Sequence, residues 1–236
     1  MLMRRPRFAI YFAPPAGSAW SDAGARWLGR CSDTGRTFAQ TVPAGWRAEV
    51  FHQITAQPWR YGWHGTLKAP FHLAAGLTQA GLHAAVDALA ADFSAFDLPP
   101  LTVQRLGHFL ALRPTPDSAE INALAQCCVR DLQVFSAKPS EAEIIERIAK
   151  DQLDAQEQAL LWRWGYPHVM ERFRFHMTLT GPLASLSAVQ IAQLEEHAQN
   201  VFSALAQPLR VEALSLFIEP HRGADFQRIA VSPLAQ

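Results

Sequence analysis

One seven-residue pattern occurs twice in this chain, and it constrains the fold more than any other feature. HGTLKAP at His64–Pro70 and HMTLTGP at His176–Pro182 share His, Thr, Leu and Pro at the same four places. After each run the sequence predicts an amphipathic helix. It then predicts a strand-like segment, PLTVQRLGHF at Pro100–Phe109 or PLRVEALSLF at Pro208–Phe217, sharing Pro, Leu, Val, Leu and Phe in register. Self-similarity over such a span marks a duplicated module. The module reads as a strand carrying HxT, a helix and a return strand. Two copies related by a pseudo-two-fold axis bring equivalent positions face to face, so each copy alone holds half of any site at the junction. The expected unit is therefore one bilobal domain over residues 1–236. A first-motif lobe is expected at about 46–112, a helical insertion at 113–172 and a second-motif lobe at 173–236, with an N-terminal strand and helix at 7–30.

Local patterning fills in the elements. Arg7–Ala13 alternates like an opening strand, and Ser18–Arg30 has a capping serine with Trp20, Ala23, Trp27 and Leu28 at helical spacing. Ser32–Gly45 is rich in Gly, Thr and Pro and reads as loop. The segment YGWHGTLKAPFHL reads as a strand bent near Pro70, Thr78–Phe93 as an amphipathic helix and Leu101–Leu112 as a strand. Asp117–Val129 and Ser140–Trp164 read as helices, the second opened by a Ser140/Glu143 capping box. Phe173–Thr180, Leu209–Ile218 and Phe226–Val231 read as strands, with a helix at Ser187–Phe202. Helices alternating with strands suit an α+β or α/β two-layer arrangement.

Composition then excludes several classes. Apolar residues make up 49% and aromatics 10% of 236 residues, enough for a substantial core and too much for disorder. Lys plus Arg and Asp plus Glu number 21 each. A neutral chain is not held to nucleic acid by bulk charge, which needs a basic face to displace counterions, although a local basic pocket for one phosphate remains open. Cys31, Cys127 and Cys128 form neither a disulfide framework nor a CxxC metal pair, and they read as reduced thiols. The apolar run after MLMRRPR stops at Pro14–Pro15 and is too short for a secretion signal, and no 18-residue uncharged apolar stretch exists. The expectation is a cytoplasmic protein with no membrane partner.

The chemistry follows from the spacing. Residues i and i+2 of a strand share a face, so His64 and Thr66 point into one cleft, as do His176 and Thr178. Two imidazoles titrating near neutrality suit tandem proton transfer, one taking a proton and the other giving one. Threonine hydroxyls beside them can donate to phosphoryl oxygens. That combination suits a phosphodiester, above all a cyclic one opened at a single P–O bond, and it requires neither metal nor cofactor. Lys68 is a candidate cation for the phosphate if the strand face continues to i+4. Tyr11, Tyr61 and Arg174 are further candidate substrate-binding residues, Arg174 because it alternates in phase with His176. The other histidines do not repeat: His52, His72, His83, His108, His197 and His221 read as structural or exposed, with His168 a weaker exception.

The paired motifs HGTL and HMTL resemble those of the 2H phosphoesterase superfamily, which includes RNA 2′,3′-cyclic phosphodiesterases and 2′–5′ RNA ligase-like proteins. RFAIYFAPP, RYGWHGTLKAPF and RWGYPHVMERFRFHMTLTGPL resemble more closely a bacterial branch found with phosphonate-utilisation genes. The resemblance implies an α+β fold, bilobal, with two pseudo-symmetric lobes of antiparallel sheet and outer helices around a central cleft. It also implies catalysis by His64 and His176 and phosphate binding by Thr66 and Thr178. Breakdown of phosphonates by carbon–phosphorus cleavage passes through a ribose cyclic phosphate, so the resemblance makes a small anionic phosphodiester of that kind the expected substrate. An RNA 2′,3′-cyclic phosphodiesterase or 2′–5′ RNA ligase-like enzyme is the alternative and would need a basic track beside the cleft. A non-catalytic binder of phosphorylated metabolites is the alternative from another class. A metallohydrolase is the weakest, since Glu171 is the one acid close to either motif.

Overall fold

The alternation of the first strand divides the whole molecule into two faces. In the computed structural model of the chain, which describes residues 5–206 and 208–236, β1 spans Arg7–Phe12. Phe8, Ile10 and Phe12 enter the main core, while Ala9 and Tyr11 join Ala13, Phe217 and Phe226 in a separate cluster. Successive side chains of a strand leave on opposite faces. One side of the sheet is therefore sealed by helices and the other is left to line a cleft.

The remaining strands are β2 (Gly65–Phe71), β3 (Phe96–Asp97), β4 (Leu101–Leu106), β5 (Phe109–Pro114), β6 (Met177–Thr178), β7 (Arg210–Val211), β8 (Ala213–Glu219) and β9 (Gln227–Pro233). Seven form one antiparallel sheet in the order β4-β5-β6-β2-β1-β8-β9, and β3 pairs with β7 apart from it. The helices are α1 (Ala19–Leu28), α2 (Ala48–Tyr61), α3 (Gln79–Ala91), α4 (Ala119–Asp131), α5 (Glu141–Asp151), α6 (Ala155–Trp164) and α7 (Ala188–Ser203). The chain is thus α+β with a large antiparallel sheet. Leu82, Val86 and Leu89 of α3, Ile121, Leu124 and Cys128 of α4, and Leu194, Ala198 and Phe202 of α7 are buried in the main core. Their i, i+3, i+4 spacing is that of helices with one apolar stripe. The Ser140/Glu143 capping box is present at the start of α5.

The two HxT strands meet at the centre of the sheet. β2 pairs with β6 through Gly65 and Met177, the middle residues of the two motifs. The halves on either side of that pair are not contiguous stretches of chain. The β4–β5 hairpin, which follows the first motif, lies beside the second-motif strand β6; the β8–β9 hairpin, which follows the second motif, lies beyond β1 on the side of β2. The lobes read as 46–112 and 173–236 therefore interleave, each half of the sheet taking its return hairpin from the other copy.

Several elements depart from the sequence reading. The strand expected at Leu101–Leu112 is a hairpin turning at Gly107–His108, where Gly107 adopts φ +58°. Its matched segment Pro208–Phe217 runs into β8 without a turn, so the second part of the repeat is alike in sequence and different in structure. The Ser140–Trp164 helix is two helices, broken where Gln152 takes a left-handed φ of 51° and Asp154 caps α6. The Phe173–Thr180 strand shrinks to Met177–Thr178 because the short helical turn Met170–Arg172 holds the preceding chain off the ladder. Helix α2, unassigned from the sequence, occupies the stretch before the first motif and reaches Tyr61. Of the insertion at 113–172, α4 belongs to the main core, whereas α5 and α6 pack in small satellite clusters with Tyr166 and Val169. Among the described residues no helix is long and apolar enough to cross a membrane.

Candidate active site

The antiparallel pairing of Gly65 with Met177 dictates the arrangement of the site. Continued one residue either way, it sets His64 opposite Thr178 and Thr66 opposite His176. Directly opposed residues lie about 5 Å apart and diagonal ones about 7–8 Å. The two motifs therefore face one another across the centre of the sheet, and His64, Thr66, His176 and Thr178 all line one cleft. Leu67, Met177 and Leu179 project the other way into the core.

The two imidazoles are held alike. Nδ1 of His64 donates to the carbonyl of Gly62 at 2.8 Å, and Nδ1 of His176 donates to the carbonyl of Arg174 at 2.8 Å. A carbonyl can only accept, so the neutral rings carry their proton on Nδ1 and turn the Nε2 lone pair toward the cleft. The Thr66 hydroxyl lies 3.2 Å from Nε2 of His64. The Gly62 carbonyl reaches the ring because Gly62 ends α2 at φ +78°, a left-handed turn that swings the chain straight into β2.

The surroundings of the two rings differ. Tyr11, fully buried on β1, stacks on His64 with ring centroids 3.8 Å apart. Burial lowers the His64 pKa to about 4; the Gly62 carbonyl opposes that shift and the neighbouring His176 adds to it. His176 is also lowered by burial, with the Arg174 carbonyl opposing and the charges of Arg113 and His168 adding. Burial also raises the Tyr11 phenol well above its usual value, which keeps it neutral.

Gly65 is required by a contact between the two motifs. A Cβ at this position would come within 2.4 Å of Phe175 Cε2 and 2.5 Å of Cζ, and Phe175 is itself buried next to His176. Gly65→Ala is expected to cost about 1–3 kcal/mol of stability through overpacking. It should also lower turnover by displacing His176, measured as a fall in the melting midpoint together with kcat.

The cleft that contains His64, Thr66, His176 and Thr178 has a volume of about 950 Å³. Tyr11 and Tyr61 line it, Tyr61 stacking on Phe226 at 5.0 Å. Lys68 does not. Tyr11 pairs with Thr66 but the next residue back, Ile10, pairs with Lys68, so a bulge at Leu67 breaks the alternation and takes Lys68 out of the cleft that holds His64 and Thr66. There its Nζ donates to the Val129 carbonyl at 3.3 Å and to Gln133 Oε1 at 2.9 Å. Arg174 does not face the cleft either. It is exposed, its guanidinium donating to the carbonyls of Phe173 and Glu171, and it serves the site through the backbone oxygen that holds His176. The phase argument failed because residues 173–176 are not in the ladder.

The cations of the cleft come from places the repeat does not mark. Arg7 on β1 and Arg60 on α2 both pair with the buried carboxylate of Glu219, which also accepts from the Gly223 amide at 2.8 Å. Arg147 and Lys150 project from α5, and Arg222 from the turn after β8. His108, read as structural or exposed, sits at the cleft edge on the β4–β5 turn. Only the basic residues of YFAPP-preceding Arg7 and of WRYG at Arg60 lie close in sequence to residues already singled out; for the others no sequence signal points to the site. Among the described residues, no group of three or more His, Cys, Asp or Glu is placed to hold a metal ion.

A central sheet that brings two duplicated His–Thr pairs into one cleft defines this class of protein. The chain belongs to the family described as "Protein of unknown function (DUF1045)", whose model matches residues 66–227. Two curated relatives are a protein of Laribacter hongkongensis (39% identical over 222 residues, 94% of this chain) and one of Janthinobacterium sp. (38% over 231 residues, 96% of this chain). Both are named ribose 1,5-bisphosphate phosphokinase PhnN, and the chain spans about half the length of each. Among solved structures, E. coli LigT in apo form aligns over 98% of this chain and 99% of its own, at 14% identity and TM-score 0.44. One described as a phosphoesterase aligns equally widely at 16% identity and TM-score 0.42. At that distance neither structure bears on the reaction.

Proposed function

We propose that this protein is a metal-independent phosphoesterase of the 2H type that opens a small cyclic phosphodiester of ribose. The observation that carries the reading is the pair of imidazoles held by matching Nδ1–carbonyl bonds and lining one cleft together with Thr66 and Thr178. In this reaction His64 is the base. Burial against the Tyr11 ring lowers its pKa to about 4, so it is neutral at pH 7 and able to take a proton from water as the water oxygen bonds to phosphorus. His176 is the acid, giving its Nε2 proton to the sugar oxygen as the bond from that oxygen to phosphorus breaks. Thr66 and Thr178 donate to the non-bridging oxygens, and an anionic phosphate between the rings favours the protonated form of His176. Tyr11 holds the plane of the His64 ring.

Ribose as the sugar rests on the relatives' name, since a phosphokinase acting on a ribose phosphate is joined in them to a segment like this one. The phosphokinase activity itself is not carried over: no G-x-x-x-x-G-K-[ST] phosphate loop occurs in this sequence. A small substrate rather than RNA fits α5, which lines the cleft with Glu146 and Asp151 interspersed with Arg147 and Lys150, a wall of mixed charge rather than the continuous basic track that RNA would need.

Turnover of a panel containing ribose 1,2-cyclic phosphate, nucleoside 2′,3′-cyclic phosphates and oligonucleotide 2′,3′-cyclic ends tests the reading. Hydrolysis of the sugar phosphate with EDTA present is the expected result. Preference for oligonucleotide ends would return the RNA reading, and binding without turnover of any of them would leave a non-catalytic binder. The pH profile is the second test. Both histidines are depressed in the free protein, so kcat/KM should peak on the acid side of neutrality. Its acid limb should fall as His64 protonates near pH 4 and its alkaline limb as His176 deprotonates below the usual imidazole range. Bound anionic substrate favours the protonated rings, so the kcat profile should lie at higher pH than that of kcat/KM.

A further inference from the structure

A second cavity of about 360 Å³ opens off the cleft and shares with it, among others, Arg7, Ala69, Glu143, Arg147, Tyr166 and Arg222. Five cationic side chains line it (Arg7, Lys68, Lys138, Arg147 and Arg222) against one carboxylate, Glu143. That carboxylate is engaged in capping α5 through Ser140. In a chain whose formal charge is zero, this is a concentrated positive patch.

The cavity's most informative member is Lys68, 4% exposed. Its two acceptors, the Val129 carbonyl and the Gln133 amide oxygen, are neutral. A buried ammonium without a carboxylate is costly unless an anion completes it. Two of its three N–H groups are used, and burial lowers its pKa to about 8, still mainly charged at pH 7. Arg7 spends Nε on Glu219, leaving the far end of its guanidinium for the cavity. The β2 bulge that removes Lys68 from the catalytic face is what delivers it here. Thr66 and Ala69, three residues apart on β2, mark the reacting phosphate and the mouth of this cavity, about 10 Å along the strand.

We infer that this side cavity is a subsite for a second, terminal phosphate, so that the substrate is a pentose carrying a phosphomonoester at one end and the cyclic phosphodiester at the other. The inference rests on the phosphoesterase reading above. It also gives a place in a reaction sequence. Adding water across the P–O2 bond of a 1,2-cyclic ribose phosphate that carries a 5-phosphate leaves a free 2-hydroxyl and phosphomonoesters at positions 1 and 5. That product is a ribose 1,5-bisphosphate, the compound in the name of the longer relatives. The next step would be a phosphoryl transfer to it.

The test compares kcat/KM for ribose 1,2-cyclic phosphate with and without the 5-phosphate, and for a nucleoside 2′,3′-cyclic phosphate with and without a 5′-phosphate. The 5-phosphate should raise kcat/KM on the sugar by at least about 100-fold, the scale of two charge-assisted contacts. That ratio should fall at least about 10-fold in Lys68→Met and in the exposed-site variant Arg222→Ala, which leaves the core untouched. A ratio near one in the wild type, or an unchanged ratio in Arg222→Ala, overturns the inference while leaving the phosphoesterase reading standing. A larger ratio on the nucleotide overturns the pentose substrate. Ribose 5-phosphate binding measured by calorimetry separates the two readings: binding weakened by Arg222→Ala, with no cyclic phosphate turned over, would sustain the subsite and remove the reaction.

Discussion

His64→Ala and His176→Ala should each lower kcat at least 100-fold on the cyclic phosphate that the wild type turns over, within the usual 10²–10⁴ range for one acid or base. The variants should remain folded, because both rings line the cleft and, among the described residues, each is tied to the backbone by a single Nδ1 contact. The two losses should not be the same in kind. Removing the base should leave a reaction that recovers as hydroxide increases, so His64→Ala should regain rate at high pH. Removing the acid should be partly offset by a substrate with a better leaving oxygen, so His176→Ala should gain most from an activated aryl phosphodiester. Near wild-type turnover in both variants would sink the two-histidine mechanism, and the opposite pattern of rescue would exchange the roles of the two rings.

Glu219→Leu should be the most destabilising single change on the cleft side of the sheet. Glu219 is fully buried at the end of β8 and is the shared partner of Arg7 and Arg60. Removing it leaves two part-buried guanidinium groups without the fully buried carboxylate they share, a loss on the order of 3 kcal/mol, the lower end for a broken buried pair. For a chain of this length that is a drop in the melting midpoint of roughly 10 °C. If the loss is electrostatic, replacing both arginines as well (Arg7→Met and Arg60→Met on Glu219→Leu) should recover much of it, since an apolar trio carries no buried charge. A triple variant as unstable as the single one would assign the loss to packing instead. Catalysis should suffer in all of them, because Arg7 and Arg60 line the cleft.

The neutral charge balance has a different meaning once these arginines are placed. As a sum it argued against nucleic acid; in space it is a basic cavity offset by acids elsewhere. Arg7, Arg60, Arg147 and Arg222 come from β1, α2, α5 and a loop, and only folding brings them together.

What could be read from the chain was whatever is local or repeated. Alternation in Arg7–Ala13 marks the opening strand that carries Tyr11, the Ser140/Glu143 pair starts a helix, and HxT at two places sets a His–Thr pair at the start of each of two paired strands. Those statements follow from backbone periodicity, which a sequence displays directly. The failures lie where a single residue breaks the period. The bulge at Leu67 turned Lys68 from the phosphate of the cleft to another cavity, and the turn at Met170–Arg172 removed Arg174 from the ladder. Neither leaves a mark in composition, because a bulge is set by the register of the partner strand.

By itself the sequence displayed a repeated motif with one His–Thr pair in each copy, and from it the expectation that a cleft between them draws on both. Only the tertiary structure decided which strand lies beside which, that the return hairpins are exchanged between the halves, and that His64 is the more deeply embedded ring beneath Tyr11. The physical reason is one of range. Side-chain direction within an element is fixed by neighbours two to four residues away, whereas strand order, burial and charge proximity are set by residues hundreds of positions apart.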